Sequence, residues 1–167
     1  MIKQFNIDIP PKTNKDIINL LHKDRNWYFG SDGSSLTTNI NKTDAGFMLD
    51  SNNPIKPVLN TYANVICNMV EKQSFMKFRT IDRIYWNWYH SNSSTFFHED
   101  SLSDNAFSII YNLHTNDGGT EFKINEKTEF YQSQESMALL FPSKIHHKGI
   151  AAKNYANRFA LNVVVQI

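Results

Sequence analysis

The sequence predicts a mainly β fold, a sandwich or jelly roll, with two helices packed on one face. Apolar residues recur at helical spacing only in the N-terminal part of the chain. From Arg79 onward the pattern changes to short alternating or β-branched runs, and turn residues punctuate them. After Pro10-Pro11, Thr13 reads as an N-cap with Asp16 in the first turn, and Ile17, Ile18, Leu20 and Leu21 give a short amphipathic helix. Residues Trp27 to Asn53 are rich in Ser, Gly, Asn and Asp and read as a long loop, a length that suits a lid. Pro57 to about Gln73 reads as a second helix, with Val58, Tyr62, Val65, Ile66 and Met69 at helical spacing. Arg79 to His90 alternates, so Arg83, Tyr85, Asn87 and Tyr89 share one side while Ile84, Trp86 and Trp88 share the other. Phe107 to Leu113 is a further strand. Asn116-Asp117-Gly118-Gly119 is a turn signal that predicts a hairpin into Thr120 to Ile124. Ser136 to Phe141 and Arg158 to Ile167 complete the strands.

Bulk properties narrow the function. The 167 residues suit one domain, and 41% apolar with 13% aromatic residues suffice for a core. A formal net charge of +1 offers no basic field, so a nucleic-acid partner is not expected. Cys67 is the only cysteine and cannot form an internal disulfide. No run approaches the ~20 apolar residues that span a bilayer. Residues Met1 to Pro11 lack a signal-peptide pattern. A soluble protein of the cytoplasm is expected.

The chemistry lies in His98-Glu99-Asp100. On an extended segment His98 and Asp100 point to one side and Glu99 to the other. A second histidine from a distant strand would complete two imidazoles and one carboxylate around a metal, the set that suits non-haem Fe(II) and leaves positions open. His146 and His147 compete for that role, because adjacent strand residues face opposite ways. His147 is preferred, since Gly149 two residues on lets the backbone approach other groups, with His146 as the fallback. Phe96-Phe97 offers the site an apolar wall. Arg158 shares one side of the last strand with Ala160 and Asn162, where it could fork around a carboxylate and Ala160 would leave room. Tyr85, Tyr89 and Tyr111 could each offer a hydroxyl to a bound acid. Asn87, a polar insert between two tyrosines, is a further candidate contact. Trp86, Trp88, Phe107 and Phe159 read as core, and His90 and His114 as structural or exposed.

From Arg83 to Val165 the chain resembles the Fe(II)/2-oxoglutarate-dependent dioxygenase superfamily, in particular its short prolyl-hydroxylase-like members of phage and bacterial type. The resemblance runs through Arg83-Ile-Tyr-Trp-Asn-Trp-Tyr, Phe97-His98-Glu99-Asp100, Ser108-Ile-Ile-Tyr-Asn-Leu and Asp117-Gly-Gly-Thr-Glu-Phe122. It ends in Leu140-Phe-Pro-Ser143, His147-Lys-Gly149 and Arg158-Phe-Ala-Leu-Asn162. It implies a double-stranded β-helix, a jelly-roll variant buttressed by the two helices. The chain, 1–167, would be one oxygenase domain, with 1–78 as helical support and lid and 79–167 as the catalytic core. His98, Asp100 and His147 would ligate iron, the family's Phe-x-Ser spacing counted from Ser143 favouring His147. Arg158 would grip the far carboxylate of 2-oxoglutarate, with Tyr111 or Tyr85 on one of its carboxylates. Many relatives carry Ser or Thr at the position of Ala160. That loss of a hydroxyl costs about 1 kcal/mol, which Asn162 or a tyrosine would offset. The implied reaction uses O2 and hydroxylates an unactivated C–H bond, with succinate and CO2 as products. A protein or peptide side chain such as proline is the favoured substrate, a small molecule such as a free amino acid or another metabolite, or a modified nucleobase, stays open, and Asp100 disfavours halogenation. The alternative is a cupin-like jelly-roll metalloprotein or metal-binding module that does not use 2-oxoglutarate.

Overall fold

Two prolines set the start of the first helix. The amides of Thr13 and Asn14 both reach the carbonyl of Pro10 (2.8 and 3.4 Å), so α1 spans Pro11–Lys23 and Thr13 lies inside it rather than capping it. Proline at the first helical position sacrifices no hydrogen bond. The second helix, α2, spans Lys56–Ser74, with Pro57 in its first turn and Phe75 ending it in a left-handed conformation (φ 58°). Its buried stripe is Leu59, Tyr62, Ala63, Ile66 and Val70, whereas Val58 and Val65 of the expected pattern face solvent. The computed structural model describes residues 1–23, 27–29, 47–49, 54–91 and 95–167.

Ten strands are present among the described residues: β1 (Lys3–Asn6), β2 (Trp27–Phe29), β3 (Phe47–Leu49), β4 (Thr80–His90), β5 (Ala106–Asn112), β6 (Gly119–Ile124), β7 (Lys127–Gln132), β8 (Met137–Pro142), β9 (His147–Ile150) and β10 (Asn157–Gln166). They form an antiparallel seven-stranded sheet, ordered β1-β8-β5-β10-β4-β3-β2, and an antiparallel three-stranded sheet, ordered β7-β6-β9. β1, β7 and β9 are strands that periodicity did not reveal. The loop expected over 27–53 contains β2 and β3; the rest of that proposed lid lies outside the described residues.

The hairpin expected across Asn116–Gly119 is not one. β5 lies inside the large sheet and β6 inside the small one, so this segment crosses between sheets. Asn116 Oδ1 accepts from the Gly118 amide (2.8 Å), and Asp117 accepts from the amides of Lys153 and Asn154 (3.1 Å each). The turn chemistry therefore ties two connections together. The true hairpin joins β6 to β7 through Asn125 and Glu126, both at positive φ (47° and 64°), the twist that two-residue hairpins favour.

Alternation along the central strands builds two separate interiors. Trp86, Ile109, Tyr111, Leu113, Leu140, Phe159, Leu161, Val163 and Val165 face the helices and bury Ile17, Leu21, Leu59, Ile66 and Val70. Tyr89, Ile110, Leu139, Phe141 and Ala160 face the other way, onto Phe122 and Ala151. The helix-side interior has one polar knot. Asn14, fully buried, accepts at Oδ1 from the hydroxyls of Tyr62 (2.5 Å) and Tyr111 (2.9 Å) and donates to Glu135 (3.2 Å) and Ser136 (3.1 Å). Burial and the neighbouring Tyr111 push the Tyr62 phenol far above its ordinary pKa. Replacing Asn14 by Ala would leave two buried hydroxyls without an acceptor. We expect N14A to lose about 3 kcal/mol in urea denaturation, while metal binding in the other interior stays unchanged.

Candidate metal centre

Residues 95–100 run antiparallel beside β9. Thr95 exchanges hydrogen bonds with Gly149, its amide to the Gly149 carbonyl (3.0 Å) and its hydroxyl from the Gly149 amide (2.7 Å). His98 and His147 form the next bridge and exchange both backbone bonds at 3.0 Å. Directly paired residues project to the same side, so their imidazole centroids lie 4.5 Å apart. Two residues on, the Asp100 amide reaches the Ser143 carbonyl (2.9 Å), and its carboxylate turns to the same side. Asp100 Oδ1 is 3.8 Å from His98 Nε2, and Oδ2 is 3.4 Å from His147 Nε2. Donor atoms of the three residues all lie within 4.8 Å of one another. Glu99 and His146 point outward and pair with each other at 2.9 Å, so alternation excludes His146 from the cluster.

Each imidazole is oriented through its other nitrogen. Nδ1 of His98 meets the carbonyl of Phe96, and Nδ1 of His147 the carbonyl of Ile145, both at 2.9 Å. A carbonyl can only accept, so Nδ1 carries a proton in each ring and Nε2 is the nitrogen that faces the cluster, able to offer a lone pair to a metal. Burial, then the adjacent His147, lower the pKa of His98, which keeps it in the neutral, ligating form. For Asp100, burial works to raise the pKa. His147, Arg83 and His98 outweigh it and hold the carboxyl well below the usual range. Ser108 donates to Oδ2 (2.6 Å) and shares a hydrogen bond with Ser143 (2.8 Å). Asn162 donates to both oxygens (3.4 and 3.2 Å), and Arg83 forms an ion pair with Oδ1. Phe122 stacks beside His147 and Phe141 meets it edge-on. The aromatic wall expected from Phe96-Phe97 is supplied at this histidine by β6 and β8. Phe96 instead lies half-exposed at the edge of His98, and Phe97 sits under the Lys148 ammonium.

Arg158 lies deeper in the same interior, 1% exposed. Its guanidinium rests over the Tyr89 ring (4.7 Å), and its contacts are long: Ile150 carbonyl and Asn112 Oδ1 at 3.4 Å, Thr120 Oγ1 at 3.5 Å. Among the described residues no carboxylate pairs with it, and its Nε has no partner. Burial lowers its pKa against an opposing pull from Tyr89. Gly149 also packs against Tyr89, where any Cβ would fall 2.5 Å from ring carbons. Seven buried polar side-chain atoms lack hydrogen-bond partners among the described residues, and four of them belong here: His147 Nε2, Arg158 Nε, Asn162 Oδ1 and Arg83 Nε. Buried polar groups are normally paired, so this concentration fits a place built to receive a metal and a polar ligand.

Not every expected residue arrives. Tyr111 pairs with Leu161 of β10, which puts it on the helix side with its hydroxyl on Asn14, remote from Arg158. Its neighbour Asn112 takes the inward position beside Arg158. Tyr85 and Asn87 share the inward side of β4, opposite Asn162 and Ala160, with the Arg83 guanidinium over the Tyr85 ring (4.5 Å). Asn162 supports Asp100 rather than Arg158. Arg83, Ser108, Asn112, Thr120 and Ser143 had been given no role. Their signal was parity: Ser108 and Asn112 are polar residues four apart on one face of an otherwise apolar strand.

No protein-family model matches the sequence, and no curated protein matches it. Solved structures do match its fold. A prolyl-4-hydroxylase from Pseudomonas putida superposes with a TM-score of 0.69 at 11% identity, covering 99% of this chain and 92% of that one. A Trichoplax adhaerens prolyl hydroxylase in complex with a hypoxia inducible factor peptide fragment gives 0.72 at 14%, covering 99% and 83%. The nogalamycin-biosynthesis epimerase SnoN, in complex with Fe3+, α-ketoglutarate and nogalamycin RO, gives 0.67 at 9%, covering 99% and 78%. The chain has the jelly-roll fold of the 2-oxoglutarate/Fe(II) oxygenases.

Two outcomes check the centre. Titration with Co(II), a redox-stable probe, should show one tight site that H147A abolishes and H146A leaves intact. Asp100 also links the metal-free fold to pH. Its folded pKa is depressed, so its ion pair stabilises above the unfolded value of about 4, and that stability is lost as pH falls toward the folded value. D100N should flatten the acid limb of the metal-free denaturation profile.

Proposed function

We propose that the chain, as one domain over 1–167, is an Fe(II)- and 2-oxoglutarate-dependent oxygenase that hydroxylates an unactivated C–H bond, forming succinate and CO2. One observation carries this reading. Three metal donors converge in the same interior as a buried guanidinium that no described carboxylate neutralises. A jelly roll that holds only a metal has no need of Arg158; an oxo diacid needs one carboxylate held and the other directed to the metal.

His98, Asp100 and His147 would hold the iron, and their donor set of two neutral imidazoles and one carboxylate suits it. When bound, the iron and 2-oxoglutarate supply the oxidising chemistry with O2. The chain's own residues orient and shield. Arg158, with Asn112 and Thr120 beside it, receives the far carboxylate of 2-oxoglutarate through charge-assisted bonds. Tyr89 and Gly149 wall that end against water. Ser108 and Asn162 fix the Asp100 carboxylate, and the two Nδ1 contacts fix the imidazoles. Tyr85 and Asn87 line the side toward substrate. A protein or peptide side chain such as proline is the favoured substrate, on the strength of the two prolyl hydroxylases among the structural neighbours. The lone Cys67, buried with its thiol pushed up to about 12, accords with a reducing cytoplasm. No described helix is long and apolar enough to cross a membrane.

The test is anaerobic addition of Fe(II) and 2-oxoglutarate, followed by visible absorption of the chelate. The wild type should develop the band. R158A should weaken 2-oxoglutarate by about a hundredfold, the loss of one charge-assisted pair, with Fe(II) affinity unchanged; R158K should recover part of it. A metal site that binds no 2-oxoglutarate, or an R158A variant that binds it as well as the wild type, would favour the cupin-like alternative.

A further inference from the structure

Arg83 is a second guanidinium at the centre, and its surroundings differ from those of Arg158. It sits on β4 at the opposite end of the Arg83–Tyr85–Asn87–Tyr89 face. Its side chain is 28% exposed, whereas Arg158 is sealed. It rests on the Tyr85 ring, which fixes the plane of the guanidinium. Among the described residues its one anionic partner is Asp100, reached through Nη2, and its Nε, itself buried, has no partner, which leaves the outer Nη edge to solvent. His98, 35% exposed, opens the centre to the same solvent.

Charge balance makes this more than a support for Asp100. On the reading proposed above, a divalent metal and dianionic 2-oxoglutarate cancel, and Asp100 cancels one guanidinium. One positive charge is left over in a half-buried interior. The guanidinium that can still meet an incoming solute is Arg83. A neutral substrate would leave it partnered only by a carboxylate whose electron density is shared with the metal. An incoming carboxylate would accept from the remaining donors in the forked geometry that arginine favours.

We propose that Arg83 recognises a carboxylate of the primary substrate, so that the oxidised C–H bond belongs to a free amino or imino acid or to a residue adjoining an acidic group in a peptide. This rests on the oxygenase reading and deepens it. The exposed edge of the guanidinium receives the carboxylate, and the Tyr85 and Asn87 side of β4 receives the carbon to be oxidised. An uncharged prolyl peptide lacks the recognised group.

The experiment first measures Co(II) and 2-oxoglutarate binding to the wild type, R83K and R83Q. Failure of the wild type to bind either would overturn the oxygenase reading and this inference with it. Where both bind, the protein is reloaded with Fe(II) and 2-oxoglutarate, and substrate-stimulated succinate formation in the presence of O2 is screened with free amino and imino acids, their amides, and end-blocked peptides with and without Asp or Glu. Binding of stimulating acids to the Co(II)/2-oxoglutarate protein is followed by the change in its visible spectrum. Stimulation confined to free acids assigns an α-carboxylate, and stimulation confined to acidic peptides assigns a side-chain carboxylate. R83Q should weaken the stimulating acid by at least about tenfold, beyond any change in its metal or 2-oxoglutarate affinity, with R83K intermediate. Equal stimulation by neutral amides or neutral peptides, or an R83Q loss wholly accounted for by weaker metal binding, overturns the proposal while leaving the oxygenase reading standing.

Discussion

The antiparallel bridge between His98 and His147 is the contact on which the centre depends. Its two 3.0 Å backbone bonds place two imidazoles side by side without any attraction between the rings. Metal sites need donors held before the ion arrives, because neutral imidazoles and a carboxylate have little reason to converge alone. Here the main chain does the holding. The same pairing sends Glu99 and His146 outward, where they satisfy each other. Thr95 and Gly149 extend the pairing on one side and Asp100 with Ser143 on the other, so a short, irregular segment gains the register of a strand.

This interior is costly. It contains two guanidinium groups, one carboxylate and four unpaired polar atoms, and burying charge without full compensation destabilises a fold. Stability must come from elsewhere, and the two-faced central sheet provides it. One face carries the helices and a continuous apolar layer from Leu21 and Ile66 to Leu161 and Val165. The other carries the three candidate metal donors and both arginines. β10 shows the division within one strand: Phe159, Leu161 and Val163 serve the first face, while Arg158, Ala160 and Asn162 serve the second. The Asn14 knot fastens the helix layer to β5 without borrowing a polar group from the centre.

Period-two alternation made much of this legible in the sequence. It separated His98 and Asp100 from Glu99, allowed only one of His146 and His147 to face inward, with Gly149 and the family spacing favouring His147, and put Arg158 with Asn162. At β5 it sets Ser108 and Asn112 on one face, but that strand is buried on both faces, so parity alone does not say which interior each face meets. Only the register with β10 shows that Tyr111 aligns with Leu161 and Asn112 with Ala160. The Asn116–Gly119 turn failed for a related reason. Turn chemistry reports a change of direction and not which sheet receives the next strand, which pairing across the fold decides. Arg83 was visible on the correct side of β4, but its ion pair with Asp100 depends on a contact between strands that spacing does not encode.

The contrast between the two guanidiniums bears on the order in which ligands could enter. Arg158 is sealed among Tyr89, Asn112 and Thr120. Arg83 and His98 stand at the exposed side of the three metal donors. On the proposed reading a substrate seated at Arg83 would cover that side. An oxo acid that enters from there would bind before the substrate, and its product would leave after the substrate's product has cleared the opening. Such an order protects the chemistry, since the oxidising centre is assembled inside a wall that the substrate itself completes. It would follow from where two arginines sit along one sheet, Arg83 beside Asp100 and Arg158 at the other end of the same face.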